Sequence, residues 1–338
     1  MTLSFSVLFG LFMTTLLTTV GVTRLVLSWL HHKQILDHPN DRSSHSLPTP
    51  RGGGLAVTPI CLLAWAGLSL TGLAPQGALL AVLAAFALLV LSWFDDKGGL
   101  TARLRFGVHI AAVIIGLAAL PADLAIFQGW LPFWADRLIA GLGWVWFLNL
   151  YNFMDGIDGI TGVETASLGL GLALLTLSPG LTLLPGEMAP VALVLTAAAL
   201  GFLVWNWHPA KLFLGDSGSI PLGYLTGWLL ILLAAKGYLA AAVILPLYYL
   251  TDATITISRR TLRGEKIWQA HRQHFYQQAV RGGLRHHQAS LLIALTNGGL
   301  ILCALASVAT PWPALAVAGL LVGLLLTVFA RCGRKEAL

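Results

Sequence analysis

Long apolar runs, each closed by a polar loop, restrict this chain more than any other feature. Segments of about 17–25 apolar residues can cross a bilayer as helices. About eleven fit along the sequence: 3–23, 53–72, 78–94, 104–121, 136–152, 162–180, 189–206, 219–235, 238–256, 289–308 and 312–330. Of the 338 residues, 57% are hydrophobic and only 10% charged, whereas a soluble domain carries about a quarter charged residues. Irregular backbone cannot face lipid without stranding N–H and C=O groups. The pattern therefore predicts one all-α integral membrane domain over 1–338. The first run has no basic start, Arg24 following its apolar stretch, and is expected to remain as a span rather than serve as a signal peptide.

The net charge of +6 and pI near 9.5 come from the loops. With the N-terminus outside, only Arg137 and Lys236 of the 20 Lys and Arg fall in outer loops. That bias fixes the orientation, C-terminus inside, under the positive-inside rule. Membrane lipid is thus the expected partner, and nucleic acid is not. The three cysteines form neither a disulfide framework nor a zinc pattern. Among the inner loops, 257–288 is the longest and is basic; it holds either a short amphipathic helix over Trp268–Val280 or an ordinary solvated loop.

Against this background the acids stand out. A charged side chain at a helix centre costs roughly 2.5–3.5 kcal/mol on insertion scales, so acids gathered at the inner ends of spans point to chemistry at one membrane face. Asp95-Asp96 close the third segment. They can bind a divalent cation, orient a cationic partner or act as a base, or simply end a helix. The run Asn149-Leu-Tyr-Asn-Phe-Met-Asp-Gly-Ile-Asp-Gly-Ile-Thr161 places Asn149, Asn152, Asp155 and Asp158 at spacings of three. A continued helix would bring them to one face, while Gly156 and Gly159 permit an irregular backbone close to a ligand. Their donors and acceptors suit a nucleoside or sugar.

Phe213-Leu-Gly-Asp-Ser-Gly-Ser219 precedes another span. Asp216 is either an N-cap or a metal ligand whose neighbouring N–H groups face phosphate. Arg51-Gly-Gly-Gly54 is either a backbone nest for an anion beneath an arginine or a flexible lead into the second span. His271-Arg-Gln-His274 with Arg281 forms either a basic cluster better matched to phosphate than to a metal or a stretch of loop without a role.

Taken in order, these motifs resemble the polyprenyl-phosphate N-acetylhexosamine-1-phosphate transferases, from Asp37-His-Pro-Asn-Asp-Arg42 through His45-Ser-Leu-Pro-Thr-Pro-Arg-Gly-Gly-Gly54 to His274. The resemblance implies an eleven-span protein of the bacterial inner membrane, N-terminus outside, with its active site on the cytoplasmic face. It implies Mg²⁺, with Mn²⁺ as a substitute, held by Asp216 with help from Asp95. Asp95 and Asp96 would orient or deprotonate the lipid phosphate, making these two and Asp216 the catalytic set. Asn152, Asp155 and Asp158 would help hold the UDP-N-acetylated sugar, and His271, His274 and the nearby Arg272 and Arg281 would contact its phosphates; Arg51 and Asn149 complete the expected substrate-binding set. The implied reaction joins sugar-1-phosphate to undecaprenyl phosphate and releases UMP.

Two departures from the family pattern are visible. Gly99 stands where an Asp-Asp-x-x-Asp pattern ends in acid, and His271-Arg-Gln-His274 replaces a His-x-His-His cluster. The form His-Arg-Gln-His-Phe-Tyr is most like the O-antigen-initiating branch using UDP-N-acetylfucosamine-type sugars. The alternatives are a phospho-N-acetylmuramoyl-pentapeptide transferase and, in another class, a lipid or solute transporter. Transporter sites gather near the midplane between repeats, whereas these acids sit at segment ends and the chain shows no repeat. The oligomeric state is open, and a homodimer is compatible with the sequence.

Overall fold

The computed structural model describes residues 3–39, 47–121, 123–178, 187–266, 269 and 271–334. Asn40, Asp41, Arg42, His45, Ser46 and Trp268, which the sequence reading drew on, lie outside this set. The regular elements of the described chain are helices and one pair of two-residue strands. Helix α1 (Phe5–His32) leads to strands β1 (Leu36–Asp37) and β2 (Thr49–Pro50), paired antiparallel with Leu36 opposite Pro50. There follow α2 (Gly54–Leu70), α3 (Ala78–Gly98), α4 (Ala102–Ala118), α5 (Phe133–Phe153), α6 (Ile160–Leu177), α7 (Met188–Asn206) and α8 (Asp216–Ala235). The last third holds α9 (Leu239–Ile244), α10 (Leu247–Leu262), α11 (Phe275–Arg281), α12 (His286–Ala306) and α13 (Pro311–Gly333).

Among the described residues, 7 helices are long and apolar enough to cross a membrane. Their burial is graded and locates the centre of the bundle. The apolar window of α8 is 94% buried, those of α1 and α13 only 17% and 33%, so α8 is the axis on which the site is built and α1 and α13 are peripheral. Around α8, small residues admit large rings. The Trp144 and Tyr224 rings stack at 4.8 Å, and Gly227 leaves room for the Trp144 indole. Trp144 also donates to the Tyr224 carbonyl at 3.2 Å, while Tyr224 donates to Ala112 O at 3.0 Å. These bonds tie α4, α5 and α8 together within the apolar core, where an unmade polar contact would cost most.

Pro221 lies inside α8 and has no N–H to give the Ser217 carbonyl one turn back. The Thr58 hydroxyl of α2 donates to that oxygen instead, at 2.9 Å. The repair fastens the beginning of α2 to the beginning of α8.

Two expected elements differ. The run 238–256 does not form one continuous helix: it divides at Leu245-Pro246 into α9 and α10, as expected where proline removes a helical donor. Helix α10 then continues through Arg259 and Arg260. The amphipathic helix expected over Trp268–Val280 is confined, among the described residues, to α11, because His271–His274 are not helical.

Candidate active site

Arg51 is positioned by backbone. It forms a parallel bridge with Phe213, and the Phe213 N–H donates to Pro50 O at 2.8 Å. In return Gly52 and Gly53 donate to Phe213 O at 3.1 and 2.9 Å, and Gly54 donates to Leu214 O at 2.8 Å. The three glycine N–H groups are therefore occupied by carbonyls. They form neither an anion nest nor a loose lead into the second span, which corrects both sequence-based readings. A side chain on Gly54 would collide with the backbone of Ser217 and Gly218, so glycine is needed where α2 and α8 press together.

The consequence is that Arg51 meets the acids of two other segments. Its Nη2 lies 2.6 Å from Asp216 Oδ1 and 3.0 Å from Asp96 Oδ1. Burial opposes the guanidinium charge, but Asp216 and then Asp96 outweigh it and raise the Arg51 pKa. Asp96 also accepts the backbone N–H groups of Asp216 and Ser217, at 3.2 and 3.1 Å. Helix α8 is thus capped by a carboxylate from α3, where an anion also suits the positive end of the helix dipole. Asp216 is the first residue of α8, with Gly215 at the capping position; it is not its own cap, and the N–H groups beside it face Asp96 rather than a phosphate.

Asp95 is held just as firmly. Its Oδ1 accepts Leu100 N–H at 2.6 Å, and its Oδ2 pairs with Arg105 Nη1 at 2.8 Å. Arg105 also lies 4.0 Å from Asp216 Oδ2. Carboxylates gathered around the same two arginines would otherwise repel one another, and Arg51 and Arg105 offset part of that cost. The side chains of Asp95 and Asp96 are 7% and 3% exposed against 14% for Asp216. Asp216 is therefore the most open acid, and its Oδ2 is the oxygen least engaged. Asn152 fixes the other oxygen, donating to Asp216 Oδ1 at 3.1 Å and to Ser219 Oγ at 2.9 Å.

The four residues at spacings of three diverge. Asn149 turns toward α4, with Oδ1 3.2 Å from His109 Nδ1 and its amide donating to Val145 O. Helix α5 ends at Phe153, and the irregular backbone beyond it sends Asp155 and Asp158 to different partners. Burial pushes the Asp155 carboxyl up to about 6, against a hydrogen bond from Thr161 and the charge of Arg51. Asp158 joins His208 at 2.6 Å, His286 at 3.2 Å and the Ala210 N–H at 3.1 Å. Burial would raise its carboxyl, but the bonds from His286, His208 and Ala210 win and hold it below the usual range. The ligand atoms of Asp158, His208 and His286 lie within 4.8 Å of one another, a mixed nitrogen and oxygen set in which each imidazole already pairs with the carboxylate. The acids around Asp216 offer hard oxygen only, which fits Mg²⁺.

In the inner loop, His274 is buried and its Nδ1 lies 3.2 Å from Asp252 Oδ1. Asp252 also accepts the N–H groups of Phe275 and Tyr276, and so anchors α11 to α10. His271, 4.8 Å from His274 between ring centroids, is pushed down to about 4 by burial and then by the charge of His274. Tyr276 reaches across to the Phe153 carbonyl, and a side chain on Gly156 would strike its hydroxyl; α11 thereby closes over the Asp155 loop. Arg272 and Arg281 line a separate cavity whose walls include none of Asp95, Asp96, Asp155 or Asp216.

The sequence-based site omitted Arg105, His208, His286 and Asp252. Arg105 and His109 share a helix face by their i,i+4 spacing, and Asp252 is an acid inside an apolar run. Those were the available signals.

Residues 78–234 match glycosyl transferase family 4, a stretch running from α3 to α8 and including all three acids. The chain is 30% identical over 299 residues to a probable undecaprenyl-phosphate N-acetylglucosaminyl 1-phosphate transferase of Bacillus subtilis, covering 84% of this chain and 80% of that protein. It is 30% identical over 325 residues to a decaprenyl-phosphate N-acetylglucosaminephosphotransferase of Mycolicibacterium smegmatis (83% and 78%). A phospho-N-acetylmuramoyl-pentapeptide-transferase of Chlamydia pneumoniae is 30% identical over 262 residues (66% and 73%). With its helical membrane bundle and its acids at one end, the chain belongs to glycosyl transferase family 4, among the polyprenyl-phosphate N-acetylhexosamine-1-phosphate transferases.

Proposed function

We propose that the protein transfers an N-acetylated sugar-1-phosphate from a UDP-sugar to undecaprenyl phosphate at the cytoplasmic face of the inner membrane, releasing UMP. The observation that carries this reading is the meeting of Asp95, Asp96 and Asp216 with Arg51, Arg105 and Asn152 at one end of the bundle. The relatives named for the same reaction class with undecaprenyl and decaprenyl phosphate support it. The lipid phosphate oxygen attacks the β-phosphorus of the nucleotide sugar, the bond from that phosphorus to the bridging oxygen breaks, and UMP leaves with the electron pair.

Two anions must approach in a partly dry cleft, so positive charge and fixed donors govern the rate. Arg51 and Arg105 are already paired with the three acids and offset only part of their charge, so the positive charge that meets the phosphates would come from Mg²⁺. Asp216 is the assigned holder of Mg²⁺, with Asp95 assisting. When bound there, a divalent cation would supply shielding of the phosphate oxygens and polarisation of the phosphorus. Asp96 positions Asp216 through the α8 cap. Asn152 and Asp155 are assigned to the donor, while Asp158 and His274 shape its surroundings through their own buried partners. The donor we favour is a UDP-N-acetylfucosamine-type sugar, which would place the product at the start of an O-antigen.

Purified protein with undecaprenyl phosphate, Mg²⁺ and a panel of UDP-sugars tests this. UMP appearing with a lipid-diphosphate-sugar supports the reaction, and the preferred donor names the branch. The panel includes UDP-N-acetylmuramoyl-pentapeptide, whose preference would replace the O-antigen assignment. No UMP from folded protein across the panel would refute the transferase reading.

A further inference from the structure

Three segments bring nitrogen and oxygen ligands together in a cluster that shares no residue with the acids around Asp216. Asp158 comes from the turn between α5 and α6, His208 from the chain just after α7, and His286 is the first residue of α12. One ligand atom from each lies within 4.8 Å of the other two. The backbone behind them is fixed. Ser290 Oγ, one turn along α12, donates to the Asp158 carbonyl at 2.8 Å, and Gly159 N–H donates to Asn206 Oδ1 at 3.0 Å. The side chains of Asp158 and His286 are 7% and 10% exposed, that of His208 34%. The cluster therefore has two buried members and one at an open edge, through which an ion can enter.

The contacts of His286 conflict in a way that a cation resolves. Its Nδ1 faces a donor, the Asp158 N–H at 3.4 Å, and an acceptor, Asp158 Oδ1 at 3.2 Å. A ring nitrogen either carries hydrogen or accepts it, so it cannot serve both. Bare, it serves the N–H and sets its lone pair against the carboxylate; a cation between Nδ1 and Oδ1 removes that opposition. His208 Nδ1 lies 2.6 Å from the other carboxylate oxygen, and its hydrogen can sit instead on Nε2. Ligand atoms around a tetrahedral Zn²⁺ stand ~3.3 Å apart, from metal–ligand lengths near 2.0–2.1 Å. The His286 contact already spans that distance. His208 must open by about 0.7 Å, which its half-exposed ring allows. The His287 ring stacks on that of His208 at 5.5 Å, so water or a further imidazole is at hand for a fourth position. Two imidazoles and one carboxylate suit a borderline metal better than Mg²⁺. We infer that Asp158, His208 and His286 form a Zn²⁺ site, distinct from the hard-oxygen cluster at Asp216, whose ion ties the loop after α5 to the chain after α7 and to α12.

The test is Zn²⁺ binding by the tag-free, full-length protein in detergent, stripped with chelator and titrated in excess Mg²⁺. Bound metal is read by elemental mass spectrometry after gel filtration. Wild type should retain Zn²⁺ against that excess. His208→Ala and His286→Ala should each weaken retention by about a hundredfold, the upper weight of a lost partner at a metal site. Asp216→Asn, which alters the other cluster, should retain Zn²⁺ as wild type does. Co²⁺ in place of Zn²⁺ gives a second readout: its visible absorption on wild type should be lost in both histidine variants. No Zn²⁺ on wild type, or equal retention and an unchanged Co²⁺ spectrum in the monodisperse histidine variants, overturns the proposal. Loss of Zn²⁺ in Asp216→Asn would assign the metal to the transfer site and overturn it as well. The readout is binding alone, so it stands whether or not the protein releases UMP.

Discussion

Asp96 accepts the backbone N–H of Asp216 at 3.2 Å while Arg51 bridges the two carboxylates. The first residue of α8 is therefore placed by an acid 120 positions earlier in the chain. This relationship separates the roles of the two acids, one holding the helix and the other facing the cleft. Asp96→Asn keeps one acceptor and loses the charge. It should lower stability by about 1 kcal/mol, the usual weight of a helix cap, and reduce turnover because Arg51 loses one of its two partners. Thermal unfolding in detergent and UMP release check both; wild-type values for each would dismiss the capping role.

Asp216→Asn should leave the fold in place and remove nearly all transfer, by about a hundredfold or more as for loss of a preorganised electrostatic group. The amide can still accept from Asn152 and Arg51, so the cluster keeps its shape. UMP release at saturating substrates and ordinary Mg²⁺ is the measurement. Full turnover by a monodisperse variant would remove Asp216 from the chemistry.

Much of this arrangement was legible in the sequence, and the reasons it stopped where it did are physical. Helix positions could be read because apolar length is a local property. The acids were visible because charge beside an apolar run is costly. Partners were not. Nothing local tells that the N–H groups of Gly52 to Gly54 are taken by Phe213 and Leu214, or that Asp158 leaves its neighbours for His208 and His286. Those choices depend on how α2, α8 and α12 pack. The division at Pro246 was readable in principle, but the apolar run around it concealed the break.

Gly215 has a φ of 75°, and a side chain there would lie 3.0 Å from Asp96 Oδ2. Gly215→Ala combines backbone strain with pressure on the cap. It should cost about 1–3 kcal/mol and lower turnover together with stability. An unfolding midpoint equal to wild type would show that the cap tolerates a side chain.

Asp155 predicts a pH dependence of stability. Its folded pKa is raised from 3.8 to about 6, burial being the largest cause. Between those values the native state keeps a proton that the unfolded chain has released, so this group lowers stability as pH rises through the window. Asp155→Asn removes the effect. The variant should gain stability relative to wild type on going from pH 4 to pH 7, as read by unfolding midpoints in detergent. A difference that stays constant over that range would contradict the buried carboxyl.

Asp158 predicts the opposite sign. Burial alone would raise its carboxyl, but His286, His208 and the Ala210 N–H hold its folded pKa below the usual value. Its contribution is present above the unfolded pKa and is lost as pH falls through the folded one. Asp158→Ala leaves two imidazoles and a backbone N–H without their shared acceptor, a loss of about 1–3 kcal/mol. It should also raise the KM for the UDP-sugar, because the segment from Asp155 to Gly159 loses its side-chain ties to His208 and His286 and keeps only the backbone bonds to α12. Asp155→Ala should change donor binding or turnover without that loss of stability. Kinetics and unfolding of the two variants in parallel distinguish these roles: unchanged kinetics for both would remove this segment from the donor site, and unchanged stability for Asp158→Ala would dismiss the histidine tie.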